Sequence, residues 1–314
     1  MNGAAGLLLY SVAVIGFGPP VLGFLTRSGH SPRSGVAAWL ITISSVVLTW
    51  LTVVVLVIVD VIAHWRGGDS FVVPCVRFLC DLAAGKAGSA PQVMLLASAV
   101  AVVVVVAVIG TRLVRTVGRL HAHACGHAEA VRLVGRPTGE RDVYVVDAAE
   151  RTAYCVSGKP SVIVVTTAAV AALGERELAA VLAHERAHLD GHHPRIVTAL
   201  RVLALVFPRL ALMTRGAGEV SRLLEMCADD AAARRHGKRA LFTGLMALAA
   251  GAPAAALGAA DVAVLNRAER LALPPANHVR VRAQAVIAGA TAMIVIAPLG
   301  TLVLGASGVL MCGG

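Results

Sequence analysis

Charge is what this sequence has least of. Only 15% of its 314 residues are Asp, Glu, Lys or Arg, against 57% hydrophobic, and the mean hydropathy is +0.78. That balance excludes an ordinary soluble protein of one or two domains and puts much of the chain in lipid. Aromatics are also scarce, at 4%, too few for a platform on which bases could stack. The excess of base over acid, 28 residues against 18, is nearly all arginine, and many of these arginines flank apolar runs. A net charge of +10 distributed in this way suits anchoring at a membrane surface better than direct nucleic-acid binding. The heavy use of Ala, Val and Arg over Ile and Lys is the signature of a high-GC, bacterial genome.

Four apolar spans follow from the pattern. Residues Ala4 to Thr26 form the first, with a kink expected at Gly18-Pro19-Pro20. No positive charge precedes it, whereas Arg27 and Arg33 follow, the reverse of a secretory signal peptide. A retained helix with its N-terminus outside is therefore expected. Val36 to Val59 is long enough to cross a bilayer, and Asp60 and His64 near its end are either interfacial, the favoured reading, or inside the helix bundle. The loop from 65 to 91 carries Cys75 and Cys80, which are either a disulfide on an oxidising side or two unpaired thiols. Val93 to Gly110 is the third span. Arg112, Arg115 and Arg119 follow at once, the strongest positive-inside signal in the chain. Three crossings from an outside N-terminus reach the cytoplasm at that point, so parity and charge agree. Ala283 to Ser307 is the fourth span, flanked by Arg280 and Arg282, with a short tail expected outside.

Between the third and fourth spans the pattern changes. Asp142–Asp147, Thr152–Val156 and Ser161–Thr166 read as short strands, with turn signals at Ser157-Gly158-Lys159-Pro160. Thr167 is expected to cap a short helix ending at Gly174. Ser161–Thr166 is the candidate edge strand for holding an extended peptide by strand addition. Upstream, His121, His123, Cys125 and His127 suggest a metal site, but no three of them share a helix face. A wetted helix beside the membrane is expected there instead.

Catalytic chemistry is written plainly in one place, Val181 to Asp190, where His184, Glu185 and His188 form an H-E-x-x-H pattern. The run leading in from Glu177 is made of good helix formers, so His184 and His188, four apart, share one face and can serve one metal ion. Glu185 lies one step round and reaches a metal-bound water rather than the metal. Zinc acidifies that water, and a neighbouring carboxylate takes its proton as it attacks a carbonyl. A catalytic zinc normally takes three protein ligands, so a third is expected elsewhere. A chance match in a chain of this length has a probability of about one in a hundred, which makes that third ligand the test.

Glu225 is the natural candidate. Asp229, four residues on and on the same helix face, can orient a histidine ring from behind. Read alone, Glu225 is a carboxylate on a solvated helix beside Arg222; the upstream motif's demand for a ligand decides for metal binding. Cys227 points elsewhere and reads as a small buried residue. A metzincin pattern fails, because Pro194 stands where its third histidine belongs. His192 and His193 are read as helix-end residues near the negative end of the dipole. An oxyanion stabiliser is expected among His236, Arg270, His278 and Arg280. The apolar stretch Ile196 to Met213 is too short for two crossings, and one would separate Glu225 from His184. It is either a helix against the protein core or one lying in the interface.

Ser161–Thr167, the stretch from Leu173 to His188, and Glu225-Met-Cys-Ala-Asp229 together resemble the core of the membrane metallopeptidases. These include the HtpX and CAAX-protease group (family M48) and the BlaR1/MecR1 group (family M56). Both are gluzincins, which implies zinc (Zn2+) on His184, His188 and Glu225, Glu185 as catalytic base, and Asp229 as the acidic neighbour. The layout resembles the BlaR1/MecR1 group more closely, and Phe207-Pro208 is similar to part of an element of that group, without its Asn. The implied fold is a mainly α membrane protein of four transmembrane helices. A cytoplasmic α+β gluzincin-type domain is inserted between spans three and four.

The expected divisions are 1–112, a membrane region with three helices; 113–282, the cytoplasmic peptidase domain; and 283–314, the fourth helix and an extracytoplasmic tail. The sequence departs from the BlaR1/MecR1 sensors in that no penicillin-binding domain follows the last span, so β-lactam sensing through one is not expected. The resemblance implies a multi-pass cell-membrane zinc metalloendopeptidase acting on a protein or peptide, with a cytoplasmic transcriptional repressor as the implied substrate. The alternatives are an HtpX-like quality-control protease and a non-proteolytic membrane scaffold with a vestigial zinc site.

Overall fold

The structure, a computed structural model, describes residues 3–65, 89–140, 142–250, 267–273 and 276–306. Helices α1 (Gly3–Thr26) and α2 (Pro32–Trp65) pack against each other and against the C-terminal helix α9 (Asn277–Ala306). Among the described residues three segments are long and apolar enough to cross a membrane: Ala5–Thr26, Pro32–Leu56 and Asn277–Thr301. They correspond to the first, second and fourth expected spans. The backbone of the third lies within α3 (Ser89–Val134), an unbroken helix of 46 residues that runs through the boundary expected at 112. Most side chains of that span lie outside the described residues, as do those of Asp60, His64, Cys75 and Cys80.

Beyond α3 the chain forms a four-stranded sheet of β1 (Arg136–Pro137), β2 (Val143–Val146), β3 (Ala153–Val156) and β4 (Val162–Thr166), in the order β1-β2-β4-β3. β4 runs parallel to β2 and antiparallel to β3, and all five of its residues are buried. This corrects the expectation that Ser161–Thr166 is an edge strand. Its uninterrupted Val-Ile-Val-Val run is the pattern of a strand covered on both faces. Val162 and Val164 face Ala128 and Val131 of α3. Ile163 and Val165 face Leu182 of the helix that carries H-E-x-x-H. Each such fully buried side chain contributes about 1.5–3 kcal/mol. The edge beside that helix belongs to β3.

Helix α4 (Thr167–Ala172) is capped by Thr166, one residue earlier than expected, whose Oγ1 accepts from the Ala169 N–H at 3.2 Å. α5 (Glu175–Asp190) begins at Gly174, where the Glu177 carboxylate accepts from the Gly174 N–H at 3.0 Å. Glu175 and Glu177 in the first turn complement the helix dipole. Gly191 ends α5, and His192, in the left-handed region at φ 53°, turns the chain into α6 (His193–Val206). A break at Phe207–Leu210 separates α6 from α7 (Ala211–His236), and α8 (Lys238–Ala249) follows.

In the α6–α7 hairpin the stretch from Ile196 to Met213 packs into the protein's own hydrophobic cluster. It lies along α2, with Phe207 5.8 Å from Trp50 between ring centroids. Leu212, Met213, Val220 and Leu223 are buried in one cluster with Trp39, Ile43 and Val46. At Gly216 the two helices come so close that a Cβ would stand 2.9 Å from Ile43 Cδ1.

Candidate metal centre

Two helices supply the centre. The last turns of α5 present His184 and His188, both buried, and the middle of α7 presents Glu225. His184 Nε2 and His188 Nε2 are 3.1 Å apart. The Glu225 oxygens lie 3.5 Å from the first and 3.4 Å from the second. Ligand atoms about 2.05 Å from a tetrahedral zinc stand about 3.3 Å from one another, so this donor set fits that ion. Among the described residues it is the one group of three or more His, Cys, Asp or Glu side chains placed to share a metal. Among the described residues the histidines of α3 are not gathered into one group. His121 Nε2 faces Cys125 Sγ at 3.7 Å, while His127 pairs with the Tyr154 hydroxyl.

The outer ring nitrogens have separate partners. Asp229, fully buried, places Oδ1 3.1 Å from His184 Nδ1, off the N–H direction, so this nitrogen has no well-aligned hydrogen bond. Arg267 donates from Nε and Nη2 to the two Asp229 oxygens at 2.8 and 2.7 Å, and its Nη1 lies 3.2 Å from Glu225 Oε2. On the other side His193 Nδ1 sits 3.0 Å from His188 Nδ1, the rings meeting edge to face. His193 is therefore more than the helix-end residue the sequence suggested: it opens α6 against the second histidine. Cys155, on the edge strand β3, interacts with Glu185.

Electrostatics follow from this crowding. Burial pulls the His184 imidazole down, but the Asp229 and Glu225 carboxylates outweigh it and push its pKa up to about 9. Burial pushes Glu225 up, yet His184, His188 and Arg267 hold it well below the usual carboxylate range. Asp229 is likewise raised by burial and lowered on balance by Arg267 and His184. Glu185 moves the other way, because its burial outweighs the two imidazoles. Burial and the neighbouring Glu185 push the Cys155 thiol up to about 12. Burial, with His188 alongside, lowers His193 to about 4, which keeps its ring neutral.

The four proposed oxyanion candidates are not gathered here. Arg270 pairs with Asp230 at 2.7 Å, Arg280 stands 3.9 Å from Asp230, and His236 and His278 are exposed at helix ends. Arg267 is the cation at the centre. It shares a helical segment, 267–272, with Arg270, and the pair reaches the adjacent carboxylates Asp229 and Asp230.

Two buried histidines and a half-buried glutamate on two packed helices, beside a small sheet whose edge strand among the described residues is β3, form a group able to hold a metal ion next to an extended chain. Residues 117–207 match the model of Peptidase family M48. The match spans under a third of the chain and ends before Glu225; it supports a metalloprotease and, with the apolar helices, a membrane one. It does not single out the BlaR1/MecR1 group. No curated protein and no solved structure matches the chain.

Proposed function

We propose that this chain is an integral-membrane zinc metalloendopeptidase of the gluzincin type. His184, His188 and Glu225 bind the metal, and Glu185 is the general base and then the general acid. The observation that carries the reading is the convergence of the three side chains: His184 Nε2 and His188 Nε2 are 3.1 Å apart, and each has a Glu225 oxygen, Oε2 and Oε1 respectively, within 3.5 Å. A zinc ion held there supplies Lewis acidity, acidifying water and polarising the scissile carbonyl. Glu185, whose pKa burial raises, takes the proton at its carboxylate and passes it to the leaving amine. Asp229 backs His184, His193 backs His188, and Arg267 holds Asp229 and Glu225 in place. Among the described residues β3 is the edge strand on the side of α5, and it is the place for an extended substrate to add as a strand.

The proposed layout places the peptidase part, 113–282, on the cytoplasmic side between membrane segments 1–112 and 283–314, with both termini outside. Within it, a cytoplasmic repressor is the substrate suggested by the four-span arrangement. The M48 match favours the other reading, turnover of damaged membrane proteins. Comparing cells with the wild type and with Glu185→Gln separates the two: one stabilised repressor supports signalling, many accumulating membrane proteins support quality control. If Glu185→Gln complements a deletion strain fully, proteolysis is not the function.

The central test is zinc content by elemental analysis of wild type, Glu225→Ala and Glu185→Ala protein. One zinc per chain, lost with Glu225→Ala and kept with Glu185→Ala, is expected. Zinc retained without Glu225 overturns the gluzincin assignment.

A further inference from the structure

A cavity of about 590 Å³ lies between α2, α5, α6 and α7, within the range of ligand pockets, roughly 300–1,000 Å³. Its wall is apolar at Val36, Ile196 and Leu224, while Arg33, Arg234 and Arg235 bring three exposed guanidinium groups to it. Among the described residues none of these three arginines makes a salt bridge, whereas Arg222, Arg267 and Arg270 each pair with a carboxylate. Asp190 is the acid in the lining, so three positive charges against one negative leave two uncompensated. His193 is part of the same wall, so the cavity and the metal centre share a side chain.

The cavity's depth narrows the ligand. Arg33 is the second residue of the apolar segment Pro32–Leu56. Large exposed apolar side chains begin near its level, at Phe24 on α1, Ile41 on α2 and Val281 on α9. The pocket shared by Ser34, Ile41 and Ile287 shows that α2 and α9 are level there. The cavity therefore opens where the apolar belt ends, the level at which a bilayer holds its phosphates. Basic pockets between membrane helices bind anionic headgroups, and the arginine fork matches phosphate oxygens in pairs.

We propose that this cavity binds the phosphate-bearing headgroup of an anionic phospholipid. The three arginines hold the phosphate, and the glycerol end lies on the apolar wall. The inference rests on α1, α2 and α9 lying in the bilayer and not on the peptidase reading. Its test involves no substrate, and extraction of the protein from membranes checks the bilayer placement separately.

The experiment is calorimetric titration of the full, zinc-loaded chain in uncharged detergent with dihexanoyl phosphatidylglycerol, dihexanoyl phosphatidylcholine and inorganic phosphate. One phosphatidylglycerol per chain is expected, at least tenfold tighter than either of the others. The Arg33→Gln/Arg234→Gln/Arg235→Gln variant should lose at least tenfold in affinity. The Arg112→Gln/Arg115→Gln/Arg119→Gln variant, altered on the exposed face of α3, should stay within twofold. Lysine at the three cavity positions should restore part of the loss, which shows that the glutamine variant failed through charge rather than folding. Equal binding of both lipids, or equal loss from the α3 variant, overturns the proposal. Phosphate binding as tightly as phosphatidylglycerol assigns the cavity to a soluble anion and overturns the lipid reading.

Discussion

His184 and His188 face the same point with their inner nitrogens and differ in what stands behind them, a buried carboxylate for one and a neutral imidazole for the other. A partner behind a metal-binding histidine fixes its ring and tautomer, and removing such a partner typically costs 10–100-fold in metal affinity. His193→Ala is therefore expected to weaken zinc binding by roughly 10–100-fold without abolishing it, while His193→Gln keeps part of the contact. Competition with a chelator of known affinity reads this directly. An unchanged affinity in His193→Ala would leave the ring contact without a role.

Proton competition gives a second prediction at this scale. The metal-free His184 is pushed up to about 9, so below that pH a zinc ion must displace its proton. Apparent zinc affinity should rise with pH by about tenfold per unit for one released proton, and flatten once His184 is already neutral above pH 9. In Asp229→Asn, which removes one of the raising carboxylates, the plateau should begin at a lower pH. Zinc titrations from pH 6 to 10 decide it.

At the scale of elements, the centre is a joint between α5 and α7, and α7 is held by its approach to α2. The Cβ of Gly216→Ala would meet Ile43 at 2.9 Å and Trp39 at 3.3 Å. Overpacking of that kind costs about 1–3 kcal/mol. The expected result is a lower melting temperature together with weaker zinc retention, because the same helix carries Glu225 nine residues on. Gly218→Ala, with open space at its Cβ, is the matched control and should lower neither, its gain in helix propensity raising stability by about 0.5–1 kcal/mol.

The elements also show what was legible in advance. His184, Glu185 and His188 could be read because their relation is local, one turn of one helix. Glu225 could be located because the first three residues demand a ligand, and its own neighbourhood names no role. β4 was found as a strand but misplaced at the edge, since pairing on both sides is a property of the sheet; its unbroken apolar run was the available signal. Arg267 and His193 escaped for different reasons. Arg267 meets Asp229 across 38 residues of chain, which no periodicity encodes. His193 depends on the left-handed turn at His192, which swings the start of α6 back onto α5.

For the whole molecule, the apolar helices and the peptidase part are one packed body, since α7 is buried against α2 and α1. Alkaline carbonate should leave the chain in the membrane fraction; release into the supernatant would remove the bilayer from every argument above. The sidedness argument from Arg112, Arg115 and Arg119 is checked by impermeant thiol labelling. In a cysteine-free background, a cysteine at Gly139 in the peptidase part should react only after the cells are opened, whereas one at Asn2 should react in intact cells.

The α6–α7 hairpin has a mechanical meaning. From Phe207 beside Trp50 to Leu223 beside Gly35, its second arm lies along about 15 residues of α2, roughly 22 Å of a segment long enough to cross a membrane. Two of the three metal donors belong to α5, and the third hangs from this rod. A slide of α7 by a single residue's rise, about 1.5 Å, is already a large fraction of a zinc–oxygen bond of about 2 Å. The seat of α7 between α5 and α2 thus fixes the reach of one coordinating oxygen, and a change in packing along α2 is read at the centre as a change in that single bond length.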